Sequence, residues 1–390
     1  MAGILKQKKR IITKRGRGKK TEKLLSIFST NAAGLKNKVQ SFKNELKHLN
    51  CGIFTIQETH FRKKGTLKIE GFDIFESIRN KQKGGTMIGV HKALNPVLIE
   101  QYEGDFELLV VEIEIAKEQI RIISGYGPQE NWTEADRLPF FSALEVEVNK
   151  AEMEGKSIII ELDANSKLGK AVIKSDPYNQ TPNGKLLYNI IERHNLVVLN
   201  SLEDRCIGSI TRKRVTKNSI EESIIDFVLI SHDLLEKVES VTIDEDKNHA
   251  LVNVTKKKQV VSDHNTIVSK FNLGWSKVGM RKRIETFNLK NRKCQEAFKV
   301  ATSNTDALSS IFNNEKDLNS CTKKFMKRLD GFIHECFRKI RIKEKQNTEI
   351  DDLFNRRRIL RNKDDDASKD DLKKIEDELA EKQIKIEGSF

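Results

Sequence analysis

Paired cysteines are missing from this 390-residue sequence. Cys51, Cys206, Cys294, Cys321 and Cys336 are odd in number, widely scattered and never spaced Cys-x-x-Cys. That excludes a disulfide framework and a cysteine zinc site, and favours a reducing compartment. Long apolar runs are missing too. No stretch approaches the roughly eighteen residues that a membrane span needs. The opening MAGILKQKKRIITKRGRGKK has no sustained apolar core of the secretory kind. The expectation is a soluble intracellular protein with no membrane partner. Acid is scarce at the start, Glu22 being the single one in residues 1–23, and the whole chain carries a formal charge of +14. A polyanion is the natural partner for such a charge, and its binding would weaken with salt.

Apolar residues make up 37% of the chain and charged residues 33%, a mixture that implies a packed domain plus a highly solvated segment. Three regions follow from the texture. Residues 1–23 are basic with almost nothing to bury, and read as a disordered tail suited to nuclear import or to gripping nucleic acid. From 24 to 273, short runs rich in Ile, Val and Phe recur between Gly, Asn, Asp and Pro: LLSIFS, CGIFTIQ, TMIGVH, LLVVEIEI, QIRIISGY, SIIIEL, NLVVLN, SIIDFVLIS and VVSDHNTIVSKF. These predict strands. VQSFKNELKHLN, LPFFSALEVEVNKAEMEG and NGKLLYNIIERHN carry the three- and four-residue spacing of helices. Many strands and fewer helices predict two packed sheets covered by helices. From 274 to 390, Phe325, Leu329, Phe332, Ile333, Phe337 and Ile340, and then Leu372, Ile375 and Leu379, mark narrow apolar stripes on basic amphipathic helices.

The chemistry-bearing residues sit where strand-like runs end. LLSIFST runs into Asn31, CGIFTIQ into Glu58 and QIRIISG into Tyr126. SIIIEL runs into Asp163, with Asn165 two residues on; SII is followed by Asp226, and VVS by Asp263 and His264. Such groups are costly to bury unpaired, and placing them at strand ends lets one sheet edge gather them. Taken singly, each is also an ordinary polar strand exit or turn. Asp beside His is a way to orient an imidazole or keep it charged. Thr211-Arg212-Lys213-Arg214 lies between two strand-like runs and predicts a basic hairpin.

Together, STNAAGL, IQETH, GGTMIGV, SGYGP, ELDANSKLG, SITRK, SIIDFVLIS and VSDHNTI resemble the endonuclease/exonuclease/phosphatase superfamily over residues 24–273. Within it the sequence most resembles the apurinic/apyrimidinic-like endonuclease domain of non-long-terminal-repeat retrotransposons. The resemblance implies an α/β four-layer sandwich, here with a C-terminal helical extension, and a phosphodiester hydrolase that uses Mg²⁺ or Mn²⁺ on DNA. It further implies that Glu58 holds the metal with Asp263 near it, and that Asp163 activates water with Asn165 beside it. His264 would meet a phosphate oxygen, supported by Asp226, with Asn31 and Tyr126 adding contacts. Ser209 or Thr211 takes the hydroxyl position before the Asp226 strand, and Arg212, Lys213 and Arg214 would reach DNA. In a complete element the nick would prime reverse transcription. Residues 274–390 resemble the connector ahead of a reverse transcriptase region absent from this chain, and no polymerase motif is present. Repair-type enzymes carry an acid two residues after the position of Asn31, where this chain has Ala33. The rival readings are a host repair-type or RNA-directed phosphodiesterase of the same superfamily, and an inactive scaffold that binds nucleic acid or protein.

Overall fold

A computed structural model describes residues 24–78, 84–116, 118–216, 218–254, 259–275, 286–287, 339–340, 348–361 and 366–387. The chain divides into two compact units, Met1–Ser276 and Lys277–Phe390.

In the first unit, β1 (Leu25–Asn31) leads through helix α1 (Val39–His48) to β2 (Ile53–Gln57), β3 (Phe72–Ser77) and β4 (Thr86–His91). A meander follows: β5 (Val97–Tyr102), β6 (Glu107–Ile115) and β7 (Glu118–Tyr126). Helix α2 (Glu134–Met153) precedes β8 (Ser157–Asp163), and α3 (Pro182–Arg193) precedes β9 (Leu196–Val198). The chain continues through β10 (Cys206–Ile207), the hairpin β11 (Arg212–Val215) and β12 (Ile220–Ser223), β13 (Asp226–Ser231) and β14 (Val238–Ile243). It ends in the short pair β15 (Asn253–Val254) and β16 (Gln259–Val260), then β17 (Ile267–Phe271).

One sheet orders its strands β10-β14-β17-β1-β2-β4-β3 and the other β5-β6-β7-β8-β13-β9. Within each, a parallel pair joined by a helical crossover lies away from the edges: β1 with β2 across α1, and β7 with β8 across α2. Both faces of these strands are buried, which is why they read as continuous apolar runs instead of alternating ones. In β6, Leu109, Val111 and Ile113 join the core between the sheets, while Leu108 and Val110 pack with Phe140 and Leu144 of α2. On the far side, Phe28 and Phe54 meet Phe42 of α1, the last two edge-to-face at 4.9 Å. The result is helix, sheet, sheet, helix: the four-layer α/β sandwich.

Three runs differ from their predicted outlines. VVSDHNTIVSKF is not one strand: it breaks after Val260, and Val261–Thr266 turn before β17 begins. Helix α2 starts at Glu134, ahead of the apolar run, because Thr133 caps it by accepting from Asp136 N–H. NLVVLN gives three strand residues and then a 3₁₀ turn.

In the second unit, β18 (Thr286–Phe287) pairs with β19 (Lys339–Ile340), and helices α4 (Thr348–Arg361) and α5 (Asp366–Glu387) pack together. They bury Ile350, Leu353 and Phe354 on α4, and Ile375 and Leu379 on α5; Arg357 is bonded to Glu376 at 3.3 Å. The predicted tail at 1–23 and the stripe residues Phe325, Leu329, Phe332, Ile333 and Phe337 lie outside the described residues, while Ile340, expected on the same helical stripe, lies in strand β19, paired with Thr286. Among the described residues, no helix is long and apolar enough to cross a membrane.

Candidate active site

The inward faces of the central strands change from apolar to polar in one direction. Along β1 the inter-sheet residues run Ile27, Ser29, Asn31; along β2, Ile53, Thr55, Gln57; along β7, Ile122, Ser124, Tyr126; along β8, Ile159, Glu161, Asp163. Strand register levels their ends: Asn31 pairs with Gln57, Tyr126 with Asp163, and Asp163 with Asp226 at the start of antiparallel β13. Pairing fixes position without regard to side chain, so strands that are far apart in sequence deliver their last polar residues to one rim.

There the side chains make a continuous chain of contacts. Asn31 Nδ2 donates to Asp163 Oδ2 at 2.8 Å, a bond that spans the two sheets. His264 Nδ1 lies 3.0 Å from both Asp226 oxygens, while Nε2 points to Asp163 Oδ2 at 3.9 Å. All four residues are buried. Burial works against charge on His264, but Asp226 and Asp163 outweigh it and lift its pKa to about 9. Burial and the nearby Asp226 push the Asp163 carboxyl well above the ordinary carboxylate range, against the pull of His264. Both acids face the one imidazole, which holds the proton between them as an imidazolium.

Beside this chain, Tyr126 donates its hydroxyl to Glu58 Oε1 at 2.8 Å, and His60 Nε2 sits 3.2 Å from Glu58 Oε2. Burial opposes the charge of Glu58, but hydrogen bonds from His60, Tyr126 and Asn31 prevail and hold its pKa at about 2. Burial, Asp163 and Glu58 together push the Tyr126 hydroxyl upward, so it remains a donor. Glu58 has φ +50°, a left-handed conformation that costs a non-glycine residue roughly 1–2 kcal/mol. The turn is held by backbone bonds from Gly34 to Glu58, Leu35 to Thr59, and Thr59 to Gly85. Asn165, also left-handed at φ +44°, donates to the Gly127 carbonyl at 2.9 Å. A Cβ on Gly127 would meet the Ala164 carbonyl oxygen at 2.4 Å, which explains glycine between Tyr126 and Pro128.

The remaining predicted residues divide. Thr211 is fully buried against the cluster, its hydroxyl accepting from the backbone N–H of Ile225 (2.9 Å) and Asp226 (3.1 Å). Ser209 is half-buried, and its hydroxyl bonds that of Ser175. Arg212 Nε donates to Asp263 Oδ2 at 2.9 Å; Lys213 pairs with Glu222 at 2.7 Å across the hairpin, and Arg214 is exposed. Asp263 itself is partly exposed.

For a metal, the donor set is hard oxygen, which fits Mg²⁺ or Mn²⁺. Glu58, ionised throughout the physiological range and partly open to solvent, and Asp263 offer carboxylates at the rim. Among the described residues, the one group of three whose ligand atoms converge within 4.8 Å is Asp163, Asp226 and His264. Within it His264 already lies between the two acids, with Nδ1 on Asp226 and Nε2 toward Asp163. Three residues outside the predicted set also shape the site. Asn183 is buried and donates to the carbonyls of Pro128 (2.8 Å) and Asn165 (3.3 Å). Lys247 Nζ donates to the carbonyls of Ser262 and His264, which flank Asp263. Lys38 is a buried lysine whose ammonium donates to the Ala32 carbonyl.

No protein-family model and no curated protein matches this sequence. Solved structures do. The AP endonuclease LMAP from Leishmania major is 14% identical, with a TM-score of 0.51 over 64% of this chain and 88% of its own. The endonuclease domain of TRAS1, a telomere-specific non-LTR retrotransposon, is 20% identical with a TM-score of 0.47, over 63% of this chain and 98% of its own. A mannosyl-6-phosphatase from Bacteroides thetaiotaomicron is 13% identical with a TM-score of 0.48, over 63% and 99%. This chain shares the four-layer α/β sandwich of the LMAP structure.

Proposed function

We propose, taking the endonuclease/exonuclease/phosphatase fold as the premise, that this chain is a divalent-metal-dependent endonuclease of the retrotransposon type that nicks DNA. One observation carries the reading: the buried relay Asp226–His264–Asp163–Asn31, which holds an imidazolium and a basic carboxylate side by side. Hydrolysis of a phosphodiester can use both, one to take a proton from water and one to meet charge on the phosphate. Asp163, with its raised pKa, is a stronger base than an exposed carboxylate and takes the proton of the attacking water. Asn31 fixes the carboxylate that does so. His264, kept charged by Asp226, donates through Nε2 to a non-bridging phosphate oxygen, where negative charge accumulates. Asn165 holds the other side of the phosphate, and Tyr126 keeps Glu58 oriented. Glu58 and Asp263 would hold Mg²⁺ or Mn²⁺, which when bound supplies positive charge to the phosphate and the departing oxygen.

The choice of DNA rests on the net charge of +14 and on the Arg212–Arg214 strand at the edge of the site. The retrotransposon reading rests on the motifs STNAAGL, IQETH, ELDANSKLG and VSDHNTI. Those motifs also imply a nick that primes reverse transcription, and the basic stretch at residues 1–23 supports a nuclear site of action. Nicking of supercoiled plasmid in Mg²⁺, with and without chelator, for the natural chain and Glu58→Ala tests the proposal. Chelator-sensitive nicking that disappears in the variant is expected. Intact plasmid with folded natural protein, in both Mg²⁺ and Mn²⁺, overturns it.

A further inference from the structure

Away from the rim, two histidines face each other on the outer helix layer. Glu45 and His48 stand three residues apart on α1, a spacing that puts both on one face of the helix. His249 reaches that face from the segment between β14 and β15. Its Nδ1 lies 3.0 Å from Glu45 Oε2, and its ring centroid lies 5.9 Å from that of His48, with the planes tilted by 34°. The strap that carries His249 is fixed at both ends. Asp244 accepts from the N–H of Asn248 at 2.9 Å and of His249 at 2.6 Å, and Val252 N–H donates to Ser41 Oγ of α1 at 3.2 Å. Because β1 and β2 are parallel, α1 runs back from the rim, so His48 in its last turn stands at the end of the helix remote from Asn31. Glu45 is buried, His249 half-buried and His48 exposed.

We infer that His48 and His249 form a two-histidine site for a transition-metal ion such as Zn²⁺, separate from the hard-oxygen rim. Imidazole suits Zn²⁺, Cu²⁺ and Ni²⁺, whereas Mg²⁺ prefers carboxylate, carbonyl and water. With metal–nitrogen bonds of about 2.0–2.1 Å, two imidazoles on one tetrahedral ion have ring centroids roughly 5–6 Å apart. The observed pair has that separation with both backbones where they are. A carboxylate on the second ring nitrogen of a ligating histidine holds its ring and its tautomer. Glu45 stands in that position: a proton on Nδ1 directed to it makes Nε2 the nitrogen that takes the ion. His48, exposed, turns a ring nitrogen to the same ion, and water completes the coordination. Both rings bind as neutral imidazoles, so protons compete with the metal. The site also has a structural reach. Thr266 Oγ1 donates to the His249 carbonyl at 3.3 Å, and Asp244 N–H donates to the Thr266 carbonyl at 2.9 Å. A bound ion thereby clasps α1 to the segment that holds Thr266, two residues after His264.

The experiment titrates Zn²⁺ into the full chain by calorimetry, in millimolar Mg²⁺ to compete at oxygen ligands. The samples are the natural chain, His48→Gln, His249→Gln and Glu58→Ala. One ion per chain is expected, bound at least tenfold more weakly by each histidine variant and equally well by Glu58→Ala. Zn²⁺ should also raise the thermal midpoint of the natural chain and leave that of His48→Gln in place, because an ion that binds only the folded state stabilises it. A natural chain with no saturable Zn²⁺ binding overturns the inference. So does unchanged affinity in His48→Gln, or binding abolished by Glu58→Ala, which would put the ion at the rim. His48 is exposed, so His48→Gln decides alone if His249→Gln does not fold. The nuclease reading stands or falls separately, on plasmid nicking.

Discussion

Glu161 lies one step below the rim of the candidate site, two residues before Asp163 on the same inward face of β8, and is completely buried. Its Oε1 accepts from Ser269 at 3.3 Å, and Oε2 has no partner. Burial is the dominant influence and raises its pKa from 4.5 to about 8, against the pull of Ser269 and Ser29. The unfolded chain releases this proton near pH 4.5 and the folded chain keeps it until about pH 8. Its contribution to stability is therefore fully present below pH 4.5 and is lost as pH rises toward 8. The gap is three to four pH units, and each unit is worth about 1.4 kcal/mol, so the loss approaches 5 kcal/mol and then levels off. Glu161→Gln keeps the shape and removes the proton equilibrium. It places one amide donor where no acceptor waits, at a cost of roughly 1–3 kcal/mol that does not vary with pH. Urea unfolding of both proteins at pH 5, 7 and 9 should show the variant gaining steadily on the natural chain, and overtaking it by pH 9. Every other titrating group is common to the two proteins and cancels in the difference. A difference constant to within about 1 kcal/mol from pH 5 to 9 would refute a neutral buried Glu161.

The relay makes its own pH prediction. The imidazolium of His264 persists up to about pH 9, so nicking should hold to that point and fall above it. In Asp226→Asn the alkaline limb should move at least one pH unit lower, and a pH–rate profile from 6 to 10 that leaves the limb in place argues against the assigned pairing. Asn183→Ala strips the carbonyls of Pro128 and Asn165 of a donor. It should cost roughly 1–3 kcal/mol in thermal unfolding and reduce nicking through a displaced Asn165; unchanged values for both would show the network to be idle. Neutralising Lys213 and Arg214 together should flatten the log–log salt dependence of duplex binding by roughly two if both meet phosphates. An unaltered slope would place the DNA elsewhere.

The sandwich was legible because its central strands are buried on both faces, so CGIFTIQ and SIIIEL admit little besides strands. Edge elements were harder to see. Phe72–Ser77 and Val97–Tyr102 are half-exposed and mix charge with apolar residues, a texture shared with loops. Asn31, Glu58, Asp163 and His264 were legible as candidates for one reason: a polar residue ending an apolar run has to be put somewhere, and strand ends share an edge. What those residues do to each other was not legible. Arg212 and Asp263 are 51 residues apart, and Asn31 and Asp163 are 132 apart, distances over which no local pattern speaks. Lys38 and Glu161 escaped notice for a related reason. One lysine in a basic loop and one glutamate in a strand look the same whether they face water or the interior. Burial, which sets their chemistry, is a property of the packed layers.

The bond from Asn31 to Asp163 has a consequence for how this molecule fails. Asn31 ends a strand of one sheet and Asp163 a strand of the other, so the bond bridges the seam between them. Everything beneath it that sets the spacing of the sheets, from Ile27 and Ile159 to Phe271, also sets the reach of that bond. The polar rim thus acts as a gauge of how closely the two sheets are seated. A core substitution that lets them slip by a fraction of an ångström would register there as lost alignment while the fold as a whole still holds.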